Sequence, residues 1–315
     1  MLLTDYFRYP KDSTWDIARQ CGVEHGIIRL PEDGAFELTN ASHWQKVYDD
    51  FIDFGIKPVI IEPMPNEVHD HIKTGDEKRD ASIEKVIGMF PIMDKLDIRC
   101  ICFNWMAHVG WCRTGTDLPE RGGAKVTGFD LAQYTPSDAS ITEKELWDNY
   151  TYFLKAVIPH AQKHGIKLAL HPDDPPMKLG NVDRIMTSYA NIDKAIHGIV
   201  PSENLGVTMC QATYHIMGED LYHVIPKLAE KIFFVHFRNT TGTLKCFRET
   251  FHDNGEIPMA KIMKLYKSCG VDVPVRVDHV PTMLGEDMVN HGYDAQGRLF
   301  AIGYFKGIIE AVEEM

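Results

Sequence analysis

The feature that most constrains the fold of this chain is a repeated ending. Four short apolar runs each stop on a residue able to bind a metal: Lys167-Leu-Ala-Leu-His171, Leu205-Gly-Val-Thr-Met-Cys210, Phe233-Phe-Val-His236 and Val275-Arg-Val-Asp278. The steps from 171 to 210 to 236 to 278 are 39, 26 and 42 residues. A strand–helix unit that returns to the next parallel strand takes about 30 residues or more, so the candidate ligands recur about once per βα unit. Parallel strands closed into a barrel bring their C-terminal ends to one face, where side chains from several strands converge.

Apolar runs read against Gly and Pro breakers give eight strand candidates: Leu2–Phe7, Gly26–Leu30, Pro58–Glu62, Ile98–Phe103, Lys167–His171, Leu205–Met209, Ile232–His236 and Pro274–Asp278. Helical patterns lie between most of them, at Trp44–Phe54, Ser82–Leu96, Glu143–His164, Leu221–Lys231, Met259–Ser268 and Leu299–Glu313. Several helices run into a glycine and then at once into a strand, as in Phe54-Gly55-Ile56 and His164-Gly165-Ile166. Glycine there supplies the left-handed turn that ends a helix. Alternating β and α with near-continuous apolar strands implies a parallel sheet covered on both faces. Eight strands and a C-terminal helix predict one (β/α)₈ TIM barrel spanning 1–315, with long loops at about 104–141 and 239–258. Neither a Gly-x-Gly-x-x-Gly turn nor a Walker loop is present, which argues against nucleotide binding.

Composition narrows the partners. A formal net charge of −12 disfavours nucleic acid and anionic membranes, and no apolar run approaches the ~20 residues of a membrane span. Met1-Leu-Leu-Thr-Asp-Tyr6 has no basic stretch ahead of an apolar one, so the expected location is cytoplasmic. The seven cysteines form no disulfide-like framework. Cys100 and Cys102, two apart on one strand, are expected to be core.

His171, Cys210, His236 and Asp278 together suit one divalent ion. Two imidazoles, a thiolate and a carboxylate fit Zn²⁺ or Fe²⁺ better than Mg²⁺. Asp173 and Asp174, in the proline-framed segment after His171, are candidate partners for a ligand imidazole. Arginine suits bidentate carboxylate recognition, which nominates Arg8, Arg113 and Arg238 as substrate anchors. Asn104 is a candidate hydroxyl-binding residue. Glu62 reads as a base or as an ion-pair partner, and His252 as a lid or solvent-facing histidine. His279, next to Asp278, is the candidate general base, and Tyr293 a candidate proton donor.

These segments resemble the mannonate dehydratases of the xylose-isomerase-like barrel superfamily. The resemblance runs through Ile61-Glu-Pro-Met-Pro65, Cys102-Phe-Asn-Trp105, Trp111-Cys-Arg-Thr114 and His171-Pro-Asp-Asp-Pro-Pro176. It continues through Gly206-Val-Thr-Met-Cys210, His236-Phe-Arg-Asn239, Phe247-Arg-Glu-Thr-Phe-His252, Asp278-His279 and Gly292-Tyr293. The chain reads as a short, divergent member. The resemblance implies Mn²⁺ or Fe²⁺ on the residues matching His171, Cys210, His236 and Asp278, with Zn²⁺ as a further option on the donor set. It also implies dehydration of D-mannonate to 2-keto-3-deoxy-D-gluconate. The expected partner is a small anionic sugar acid, and a homodimer is compatible with the chain. Two other functions fit the same residues: a sugar or sugar-acid isomerase or epimerase, which needs no leaving-group acid, and a non-catalytic sugar-acid-binding paralogue.

Overall fold

The computed structural model describes residues 1–287 and 289–313. Eight parallel strands close into a barrel: Leu2–Phe7, His25–Ile28, Lys57–Ile61, Cys100–Phe103, Lys167–Leu170, Leu205–Cys210, Ile232–Phe237 and Pro274–Val277. They follow one another around the barrel in chain order, and the last pairs with the first, Leu2 opposite Pro274. Helices take up the intervening chain, as the apolar patterning predicts. The longest, Glu143–His164, starts at a capping box in which the Thr142 hydroxyl accepts from the Glu145 N–H and the Glu145 carboxylate reaches back to the Thr142 N–H. It stops at Gly165, whose φ of 64° only glycine adopts without strain. The helix expected to reach Lys231 ends at Leu228 and tightens into a 3₁₀ turn over Ala229–Lys231.

Two cores result. Between sheet and helices lies one large apolar cluster that includes Trp15, Trp44, Phe51 and Phe90. Inside the barrel a smaller one gathers Tyr6, Ile27, Ile60, Cys100, Cys102, Ala169, Phe233 and Phe234. Cys100 and Cys102 face inward together, as a spacing of two on a strand requires; burial holds the Cys100 thiol up at about 12.

The two segments expected to be long loops are not irregular. Gly115–Pro119 and Lys125–Asp130 from the first join Thr240–Thr243 and Cys246–Glu249 from the second in a four-stranded antiparallel sheet. Phe247 pairs with Phe129 across it, and both are buried with Leu179 and Ile216. Short strands broken by Gly, Asp and Pro carry too little alternation to be recognised singly. Their stability comes from pairing across more than a hundred residues of chain.

Candidate metal centre and active site

The register of the barrel assembles the proposed ligands. Cys210 pairs with His236, and His236 with Arg276, on three consecutive strands. In a parallel ladder, register-matched side chains share a face. His171 and Asp278 follow the last residues of their strands by one. All four come from consecutive barrel strands, so they occupy one half of the rim.

His171 Nε2 lies 3.2 Å from His236 Nδ1, and both nitrogens lie within 4.8 Å of Cys210 Sγ. Nitrogens bound at about 2.1 Å to one ion, subtending about 100°, are separated by about 3.2 Å, so the pair fits a shared ion. The far nitrogens are tied down. His171 Nδ1–H donates to the Pro172 carbonyl at 2.6 Å, and His236 Nε2–H faces Glu62 Oε1 at 2.9 Å. The His171 bond turns its Nε2 lone pair toward the other ring; His236, raised to about 9 by Glu62 and Asp278, would present Nδ1 in the same way on giving up its proton to a bound ion. Asp278 Oδ2 stands 3.5 Å from His236 Nδ1, beside this trio.

Charge is the second test of fit. In and around the trio lie five buried anionic groups, Cys210 itself with Glu62, Asp174, Glu249 and Asp278, against three guanidiniums with buried side chains, Arg113, Arg238 and Arg276. The anions are held ionised despite burial. Arg238 keeps the Cys210 thiol well below its ordinary range, Arg276 and His236 hold Glu62 at about 2, and Arg276 and His279 hold Asp278 well below a normal carboxylate. Counting only these acids and guanidiniums, negative charges exceed positive ones by two; Glu62 and Asp278 raise the His236 imidazole to about 9 against burial, so without an ion a proton on that ring offsets one of them. Buried charge without a counterion is costly, and one divalent ion balances it.

Arg113 and Arg238, expected as carboxylate anchors, have a different setting. Arg113 grips Asp174 with both Nη atoms (2.6 and 2.9 Å) and reaches Glu249 at 2.6 Å. Arg238 donates to Glu249 (2.5 Å), Asp174 (2.7 Å) and the Cys210 sulfur (3.2 Å). Both are bound into a buried lattice, and neither lines the cavity over the cluster. That cavity, about 730 Å³, is lined instead by Arg8, Arg29, Arg276 and Asn104 together with His171, His236, Asp278, His279 and Tyr293. Asn104 accepts from the Met106 N–H through its side-chain oxygen at 3.1 Å, which leaves its amide donor to the cavity. Arg8 is exposed and forms no side-chain ion pair among the described residues.

His279 stands over the same cavity with a φ of 36°, strained for a non-glycine residue. Its Nδ1–H donates to Glu249 Oε1 at 3.0 Å, which leaves Nε2 with a lone pair. Glu249 is itself held at about 2 by Arg238, His279 and Arg113 against the upward push of burial. Trp111 and Tyr293 pack on the His279 ring at centroid distances of 5.0 and 5.5 Å. The Tyr293 loop is tied to the segment after His279 by the Val280 N–H, which donates to the Gly292 carbonyl at 2.8 Å. Burial and Asp278 raise the Tyr293 phenol above its ordinary value, so it stays protonated.

Four other residues resolve differently from one another. Glu62 is an ion-pair partner, 2.9 Å from both His236 and Arg276. Asp174 belongs to the arginine lattice, whereas Asp173 accepts the N–H groups of Ile185 (3.1 Å) and Met186 (3.0 Å). His252, expected at a lid or in solvent, is fully buried, and its Nε2–H donates to the Phe237 carbonyl at 2.7 Å. Sequence reading missed Arg276 and Glu249. Arg276 had a signal: a lone charge in an apolar strand, two residues before Asp278 and hence on its face. Glu249 lay in the segment Phe247–His252 that carries the family resemblance, but the strand that positions it was hidden.

Comparison with known proteins agrees with this geometry. The family profile described as D-mannonate dehydratase (UxuA) matches residues 6–140 and 133–315. A mannonate dehydratase of Streptococcus agalactiae is 32% identical over 292 residues, covering 82% of each chain. The crystal structure of mannonate dehydratase from Streptococcus suis superposes with a TM-score of 0.91 at 26% identity, covering 100% of this chain and 94% of that one. A xylose isomerase domain protein from Planctomyces limnophilus shares the barrel alone, with a TM-score of 0.64 at 12% identity over 100% of this chain and 99% of its own. With the profile matched along nearly its whole length, the chain belongs to the D-mannonate dehydratase family.

Proposed function

We propose that this protein is a metal-dependent hydro-lyase converting D-mannonate to 2-keto-3-deoxy-D-gluconate and water. The observation that carries the reading is one cavity lined by His171, His236 and Asp278 together with an oriented imidazole, His279, and a protonated phenol, Tyr293, with Cys210 within ligand distance of the two histidines.

His171, Cys210, His236 and Asp278 would hold the ion, Mn²⁺ or Fe²⁺ by family resemblance. Bound there, a divalent ion supplies Lewis acidity to the substrate's carboxylate and 2-hydroxyl, where negative charge builds as the C2 proton leaves. Glu249 fixes the His279 tautomer, and His279 Nε2 takes the proton from C2. The C–H electrons form the C2–C3 double bond as the C3–O bond breaks. Tyr293 gives its phenolic proton to the departing 3-hydroxyl, which leaves as water. The resulting enol then tautomerises to the 2-keto acid by taking a proton at C3. Arg8 and the Asn104 amide, which line the same cavity, bind the substrate's oxygens.

The test is Mn²⁺- or Fe²⁺-reconstituted protein offered a panel of aldonates, with 2-keto-3-deoxy products as the readout. D-Mannonate turnover is the expected result. C2-proton exchange without water loss would instead favour an epimerase and remove Tyr293 from its role.

A further inference from the structure

The cavity has a second half, of which the reaction above uses only Arg8 and Asn104. The four proposed ligands come from the strands Lys167–Leu170, Leu205–Cys210, Ile232–Phe237 and Pro274–Val277, consecutive around the barrel. The other four strands carry the facing wall. After Lys57–Ile61, opposite Ile232–Phe237 in the ring, comes the helix Asn66–Thr74. Asn66, Asp70, Lys73 and Thr74 from that helix line the cavity. Their spacing of four, seven and eight residues from Asn66 puts all of them on one helical face.

Two of these residues form a charged pair. Lys73 Nζ lies 2.8 Å from Asp70 Oδ1; the lysine side chain is only 3% exposed, while that of the aspartate is 61% exposed. An ammonium has three donors, and among the described residues this one has a single carboxylate partner. Burial pushes the Lys73 ammonium below the ordinary lysine range while Asp70 pulls it back up, so a further acceptor oxygen would stabilise it. The pair therefore presents a buried donor and an accessible acceptor side by side, across the mouth from the ion. Adjacent hydroxyls on a carbon chain match that pattern, one accepting from the ammonium and the other donating to the carboxylate.

We propose that Asp70 and Lys73 form a diol-binding subsite that reads the terminal hydroxyls of a six-carbon sugar acid and sets the preferred chain length. The inference rests on the proposed function only for which end of the substrate meets the ion. A monoanionic hexonate with its carboxylate end toward His171 and His236 turns its far hydroxyls toward the helix Asn66–Thr74. A five-carbon acid leaves one of the paired positions unmet.

The experiment measures binding and turnover of D-mannonate and of D-lyxonate, its five-carbon analogue with the same C2–C4 configuration. It uses Mn²⁺-loaded wild type, Lys73→Met and Asp70→Asn, with bound metal quantified in each. Wild type should favour the six-carbon acid, and both variants should reduce the six- to five-carbon affinity ratio by about 10- to 100-fold, the range of a lost charge-assisted hydrogen bond. Asp70 is exposed, so its variant answers even where Lys73→Met folds poorly. Equal losses on both acids, an unchanged ratio, or a wild type blind to chain length would overturn the subsite. If the ratio shifts as expected while no aldonate yields product, the subsite stands and the proposed function falls.

Discussion

His252 provides a measurement of burial that is independent of the metal. It is fully enclosed, and burial pushes its imidazole down to about 4, outweighing the hydrogen bond to the Phe237 carbonyl and the nearby Asp278 and Glu249. In the unfolded chain the same ring titrates at 6.5. As pH falls below 6.5 the unfolded state binds a proton that the folded state refuses, so stability is lost from about 6.5 downward and levels off below about 4. Each pH unit between the two values is worth about 1.4 kcal/mol. The whole gap comes to about 3 kcal/mol, and the part falling between pH 7 and 5 to about 2 kcal/mol. His252→Gln keeps an N–H donor for the Phe237 carbonyl but cannot titrate. Urea denaturation of both proteins in chelator, at steps from pH 7 to 5, isolates the effect, because the other titrating groups cancel in the difference. Wild type should lose about 2 kcal/mol more than the variant over that span. Parallel curves would mean that His252 is not buried neutral, and the packing around the Phe237 carbonyl would need revision.

Other expectations follow from the site. His171→Ala or His236→Ala should lose most of its bound metal at limiting Mn²⁺, read by elemental analysis; full occupancy in either variant would refute the shared-ion reading. At about 100 times its dissociation constant the metal should add about 2.7 kcal/mol of stability, seen as a rise in melting temperature that chelator reverses. His279→Asn should keep the metal yet slow C2 solvent-deuterium exchange by about 100-fold or more; exchange at the wild-type rate would assign the base elsewhere. Arg238→Met strands Asp174 and Glu249 with a single guanidinium, and thermal or urea unfolding should show a cost of about 3–5 kcal/mol, whereas a loss under about 1 kcal/mol would show that the lattice is not coupled as drawn.

The barrel was legible because its signal is local. Each inner strand is a short, nearly continuous apolar run, and the ligand positions follow from where those runs stop. Cys210 and His236 needed no knowledge of the third dimension beyond parallel register. The arginines were harder. Arg113, Arg238 and Arg276 are the same residue type near the same rim, but what each one binds depends in part on acids more than 60 positions away. Asp174 and Glu249 claim two of them, and Glu62 and Asp278 claim the third. Residue identity announced carboxylate recognition; only long-range contacts reveal that the carboxylates are the protein's own. Glu249 was hidden for a related reason, since its strand exists only through pairing with Lys125–Asp130.

The small sheet built from two distant insertions makes those insertions interdependent. Barrel enzymes are commonly regarded as a fixed scaffold with exchangeable loops, so that one loop can be shortened or grafted without regard to the next. Here Cys246–Glu249 holds, through its Glu249 carboxylate, an imidazole just beyond the last barrel strand, and it keeps its place by pairing with the strand Lys125–Asp130. Replacing either insertion alone would disturb the orientation of His279 through a partner it does not touch. The two segments must change as one piece, in a laboratory redesign or in the divergence of natural relatives.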